Sequence, residues 1–293
     1  MFRTIFAAMP VAALVLAGGF TVAPDRAQAQ AAPGAPLAER APHVVEMLEA
    51  LRLYEVLGIM ATEGVEAALT LEADLFPGAG GAAWAAEANR INGADRLTGL
   101  FEVAFPVDLM TEEHAAQVTA FFTAEPGTRI AAAEVAGRRA FLEPGVEELA
   151  NEAFREAIAD EDPRVELLTE FIETNDLVER NVSGALNSNF AFYRGLSDGG
   201  AFEVEVPEEL MLAEVWGQEP DVRRDTIEWL YSFQLSAFAG LSDGDIEAYT
   251  ALSTTEAGEA LNAALFAAFD EVFTQLSYEL GEAAAGFIAG EDA

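Results

Sequence analysis

Apolar residues recur every three or four positions along most of this chain beyond residue 42, a spacing that predicts helices rather than strands. Val45, Leu48, Leu51, Tyr54 and Leu57 fall on one helical face, and an amphipathic helix over 61–75 is stopped by Pro77-Gly78-Ala79-Gly80-Gly81. Further helices are expected around 84–90 and 95–104, with Pro106 as a breaker. Thr111 reads as an N-cap, with Glu112 and Glu113 in the first turn where the helix dipole favours acids. Helix resumes at Pro126, and Pro144 either kinks it or starts another helix to 160. Two more are expected over 164–174 and 176–195. Residues 199–207 alternate as a strand would, but they are too short and isolated for a sheet and read as a loop. Pro207 opens a helix through Trp216, and Pro220 opens one through Phe238. Ser242 with Asp245 forms a capping-box-like pair, and Thr255 caps a last helix to about residue 289. The expected fold class is all-α.

The later part of the pattern repeats the earlier one. At a constant offset of 131 residues, Thr119/Thr250, Ala120/Ala251, Thr123/Thr254, Glu125/Glu256 and Gly127/Gly258 are identical. Upstream, Val45-Glu46-Met47-Leu48 aligns with Val165-Glu166-Leu167-Leu168 at an offset of 120, which implies a short insertion in the second copy. The chain therefore reads as a tandem duplicated helical unit, with repeats over 42–162 and 163–293, packed as one body or two close halves. Thr111, Ser242 and Thr255 would cap helices, Phe121 and Phe122 would fill a corner between helices, and Gly127 and Gly258 would let another helix approach.

Phe121-Phe122-Thr123-Ala124-Glu125-Pro126-Gly127 resembles the Phe-Tyr-x-Ser-Pro-x-Gly signature of the bacterial envelope family called domain of unknown function 2059. Phe122 stands where that family has Tyr, and Ala124 where it has Ser. The divergent second copy, Leu252 to Gly258, keeps the hydroxyl cap and the glycine but loses both aromatics. The likeness covers about 35 residues of each copy. It implies a secreted or periplasmic helical domain without an assigned activity, and it brings no catalytic residues.

The first 29 residues read as a cleaved signal peptide: Arg3, an acid-free apolar run over 5–20, and small residues at Ala27 and Ala29. The run is short for a membrane span of about 20 residues and is broken by Pro10, Gly18 and Gly19. Cleavage after Ala29 would leave Gln30 as the amino terminus, followed by a disordered Pro/Ala linker over 30–41. No transmembrane segment is expected after signal removal, and the expected location is periplasmic or secreted. The sequence has no cysteine, so it forms no disulfide, thiolate metal site or lipidated-cysteine anchor.

Beyond Ala29 the chain has 13 arginines against 50 acids, a formal charge of −37, and no lysine. Coding bias in a GC-rich genome is the favoured explanation, with adaptation to salt as the alternative. Without a basic stripe to meet phosphates, nucleic acid is excluded as a partner, and anionic membranes would repel the protein.

Signatures of chemistry are sparse. His43 with Glu46 is too small a set for a metal site, and His114 sits among acids at a helix start. Asp243-Gly244-Asp245 lacks the spacing of a calcium loop, and the acids at 160–162 read as a solvated junction. There is no Gly-x-Ser-x-Gly and no phosphate loop, and no cofactor is expected. The one suggestive cluster is Asn187, Phe190, Tyr193 and Arg194, amides and aromatics that read either as a helix with a polar edge or as a groove wall for a peptide or glycan. Phe190 and Phe192 cannot share a helical face, so one must point away from the core. The favoured function is an exported, non-catalytic helical protein that binds or scaffolds a protein or peptide partner in the envelope. The alternative is a carboxylate-based hydrolase acting on cell-wall glycan.

Overall fold

The computed structural model describes residues 36–290 apart from 203 and 205. The expected signal peptide, its cleavage site and the start of the linker lie outside the described residues. The helices are α1 (Leu37–Arg40), α2 (Pro42–Ala50), α3 (Leu53–Leu75), α4 (Gly81–Asn92), α5 (Ala94–Ala104), α6 (Glu112–Phe122) and α7 (Gly127–Phe141). Then follow α8 (Val146–Ala159), α9 (Pro163–Thr174), α10 (Leu177–Asp198), α11 (Glu208–Gly217), α12 (Glu219–Ala237), α13 (Asp243–Ser253) and α14 (Glu256–Ala289). A 3-10 turn covers Val107–Leu109, and among the described residues there is no strand. The helices pack as one body.

Its axis is α14, 34 residues long. Ala264, Leu265, Ala268, Phe269, Val272, Leu276, Leu280 and Phe287 leave it apolar on several faces, so it is surrounded rather than laid on a surface. It packs against α4, α5, α6 and α13, and most extensively along α10. The α10–α14 contact is a backbone contact. A Cβ built on Gly281 would lie 2.2 Å from the Phe192 carbonyl oxygen, and one built on Gly195 would lie 2.0 Å from that of Tyr278. Only hydrogen at both positions allows this approach.

Two expectations are corrected. The linker expected over 30–41 is ordered from residue 36: Leu37–Arg40 is helical, and Leu37 and Ala41 are buried in the core. The continuous face expected over 45–57 is cut at Arg52, which takes a left-handed φ of 56° and divides α2 from α3. Asp176, with φ 50°, makes the same corner between α9 and α10. Each of these residues is followed by a fully buried leucine, Leu53 and Leu177.

The capping residues act as read. Thr111 accepts from the His114 N–H at 3.1 Å and Thr255 from the Gly258 N–H at 3.0 Å, while Ser242 and Asp245 form a reciprocal capping box. The reason for Gly127 and Gly258 is more local than expected. A Cβ on Gly127 would lie 2.2 Å from the Phe121 carbonyl oxygen, and one on Gly258 would lie 2.2 Å from that of Leu252. Both glycines close a corner onto the last turn of the helix just before them, not onto a distant helix.

Candidate functional site

Phe121 and Phe122 pack around Tyr249, with ring centroids 6.3 and 5.7 Å from it. Phe171 and Phe238 complete this aromatic seam at 5.0 and 6.5 Å. The Tyr249 hydroxyl donates to Glu134 Oε1 at 3.1 Å inside the core. Burial pushes Glu134 up to about 7, against a lowering effect of the tyrosine hydrogen bond. Burial, then the nearby Glu134, holds Tyr249 well above the usual phenol range. Arg129, two residues after Gly127, binds Asp245 of the capping box at 2.7 Å, so the start of α7 is tied to the start of α13. The Glu134–Tyr249 pair is closed off from solvent in the core, whereas Arg129 is exposed at the edge of the body.

His114 is half-buried in the first turn of α6. His43 Nε2 lies 3.2 Å from the Met110 carbonyl oxygen, and among the described residues no group of three or more His, Asp or Glu could hold a metal ion. Besides Glu134, Glu147 is raised, by burial and then by Glu148, Glu228 and Glu63. It lies on the open first turn of α8.

The cluster on α10 divides between two neighbours. Asn187 is exposed and donates to Asp270 of α14 at 2.9 Å, and Arg194 is exposed on the same edge. Phe190 and Tyr193 turn to the other side and pack under α11, over a small second core of Val182, Leu186, Val215 and Val222. Phe192 points into the main core. The four residues therefore do not form one wall: two edge α14 and two support α11.

What Phe190 and Tyr193 support is an open apolar surface. Gln218, just after α11, accepts from Asn189 at 3.1 Å and donates to the Tyr193 hydroxyl at 3.4 Å, which ties α11 to α10. Met211 and Val215, four residues apart, face inward. Three further apolar side chains of this helix face solvent: Leu210 is 61% exposed, Trp216 64% and Leu212 37%. Val204, in the loop before it, is 75% exposed. Leu212 and Trp216 share a face, and Leu210 flanks the seam on the other side. Glu208 and Glu209 stand on the Leu212–Trp216 face and Glu214 beside Leu210, all exposed. The phenol of Tyr193 is raised by burial and further by Glu214, against the lowering hydrogen bond from Gln218. The next arginines along the chain are paired: Arg223 with Glu179 and Glu219, Arg224 with Asp221 and Asp225.

The sequence predicted the boundaries of α11 but not this surface. The signal was present in Leu210, Met211, Leu212, Ala213, Val215 and Trp216, a run too apolar for a helix with only one buried side. Comparisons with protein families, curated proteins and solved structures give no match.

Proposed function

We propose that this chain is an exported, non-catalytic helical protein of the bacterial envelope that binds a protein or peptide partner on the α11 surface. The observation that carries the reading is the exposure of Leu210, Leu212 and Trp216 on one short helix that is held firmly from beneath. Isolated exposed leucines are ordinary, but several on one anchored helix expose apolar area that a partner would bury. Export rests on the signal-like first 29 residues. A glycan hydrolase would need two acids in an open cleft, one of them raised. Glu134 is sealed under Tyr249 and gives a substrate no access, and Glu147, the other raised acid, stands exposed on the first turn of α8.

The duplication belongs to the same proposal, with the family resemblance to domain of unknown function 2059. Four observations support it. The left-handed corners at Arg52 and Asp176 precede buried leucines. The Thr111 and Ser242 caps open helices of 11 residues each. Gly127 and Gly258 meet equivalent carbonyls. In each half the first helix packs on the same later helix, α2 on α6 and α9 on α13.

The test is a chemical cross-linking pull-down from the host's envelope fraction, comparing wild type with a Leu210→Ser/Trp216→Ser variant. Partners captured by wild type should be lost from the variant. An identical captured set from both proteins would remove the binding surface.

A further inference from the structure

We infer that the partner of the α11 surface is a cationic amphipathic polypeptide segment, apolar on the side that meets Leu212 and Trp216 and carrying Arg or Lys at its flanks. The inference rests on the binding reading above and adds the chemistry of the occupant. Its basis is charge complementarity. Residues 208–221 contain five acids, Glu208, Glu209, Glu214, Glu219 and Asp221, and no base. Glu208 and Glu209 are exposed on the Leu212–Trp216 face, Glu214 is exposed beside Leu210, and Arg223 and Arg224, the next bases along the chain, are already paired with acids. An apolar partner without cations would leave these carboxylates facing it unpaired, at a desolvation cost. An acidic partner would be repelled, and so would a second copy of this chain, which brings the same Glu208, Glu209 and Glu214 to the contact. An anionic lipid surface is disfavoured for the same reason. A cationic segment pairs with the rim while its apolar face covers the centre, and an Arg laid over the exposed Trp216 ring gains cation–π attraction. Leu212 and Trp216 are four residues apart, about 6 Å along the axis, a span that suits anchors one turn apart on a docked helix.

The test titrates the full chain with three synthetic amphipathic peptides of about 18 residues that share one leucine face and carry Lys, Ser or Glu on the other. Binding is read by calorimetry and by Trp216 emission, isolated by subtracting a Trp216→Phe variant, because Trp84 is buried and Trp229 half-buried. The Lys peptide should bind at least about tenfold tighter than the Ser peptide and shift Trp216 to the blue, with affinity falling as sodium chloride rises. Leu210→Ser/Trp216→Ser should weaken it by about tenfold or more. Glu208→Gln/Glu209→Gln/Glu214→Gln should also weaken the Lys peptide and flatten its salt dependence, while leaving the Ser peptide unchanged. All these side chains are exposed, so circular dichroism should show unchanged melting. Unchanged Lys-peptide affinity in the triple Gln variant overturns the inference, because attraction would then come from the overall charge. Equal binding of the Ser and Lys peptides at Trp216 overturns it too, yet leaves the binding surface standing. Concentration-dependent self-association abolished by Leu210→Ser/Trp216→Ser would make a second copy the occupant and overturn it likewise. If no peptide moves Trp216 and the cross-linked partner set is also indifferent to the variant, both readings fall.

Discussion

Gly281→Ala should destabilise this protein although it places a better helix former in a helix. The added Cβ would lie 2.2 Å from the Phe192 carbonyl oxygen and 3.0 Å from the Leu196 nitrogen, both backbone atoms that no rotamer change can move. A close carbon–oxygen contact is about 3.3–3.6 Å, so α10 and α14 must part by roughly 1 Å. A gap of that size forfeits about a quarter to a half of each dispersion contact it opens, and this is the most extensive helix contact of the body. Overpacking of this kind costs about 1–3 kcal/mol, here toward the upper end, and helix propensity returns up to about 1 kcal/mol. The expected net loss is about 2 kcal/mol, or a Tm lower by about 4–8 °C in a body of this size. Gly58→Ala is the control. Gly58 lies in α3 with nothing within 4 Å of an added Cβ, so the same substitution should raise stability by about 0.5–1 kcal/mol. Gly195 faces the Tyr278 carbonyl in the same contact. Once one alanine has parted the helices the second should cost less, so Gly195→Ala/Gly281→Ala should fall short of the sum of the single effects. Equal shifts for Gly281→Ala and Gly58→Ala in thermal and urea melts, or strict additivity of the pair, would refute the close-contact argument.

Gly258→Ala should cost about 1–3 kcal/mol in urea melts, because its Cβ would meet the Leu252 carbonyl at 2.2 Å; a neutral result would remove the corner-closing role. Glu134 gives a pH signature. Raised to about 7 in the fold and near 4.3 unfolded, it keeps its proton in the native state while the unfolded chain loses one. Its full contribution is present below about pH 4.3, drains as pH rises to about 7, and amounts to about 3 kcal/mol. Glu134→Gln should abolish that component, so the stability difference between variant and wild type should grow from pH 4.5 to 7 and then level; a difference constant with pH would contradict the buried acid. A formal charge of −36 predicts that sodium chloride raises the Tm from low millimolar toward molar concentration, with no added effect of calcium at constant ionic strength. A melt flat in sodium chloride and steep in calcium would overturn that expectation.

Local features were legible in the sequence. Thr111, Ser242 and Thr255 cap helices because a hydroxyl reaches N–H groups only two or three residues away. Pro207 opens α11 and residue 289 closes α14 for similarly local reasons. The corner at Arg52 was not legible: a left-handed φ is usually marked by Gly or Asn, and here the neighbouring packing imposes it on an arginine. The Gly195–Gly281 contact and the Glu134–Tyr249 pair join residues 86 and 115 positions apart, and periodicity says nothing about which distant faces meet. The Pro/Ala composition of 30–41 concealed Leu37, whose burial decides that α1 docks. Of the α10 cluster, the opposed directions of Phe190 and Phe192 followed from helical geometry, but the division of Asn187 and Arg194 from Phe190 and Tyr193 depends on where α11 and α14 lie.

The central claim is that α11 is a docking surface, and site-specific photo-crosslinking tests it most directly. A photoreactive amino acid would replace Trp216 in one strain and Val103 in another, with both proteins made at native level in the host. Both positions are exposed and apolar, but Val103 lies on α5, away from the anchored helix. The account predicts a discrete adduct from position 216 that is absent from position 103 and lost when Leu212→Ser is added. The same adducts from both positions, or none from position 216, would contradict it.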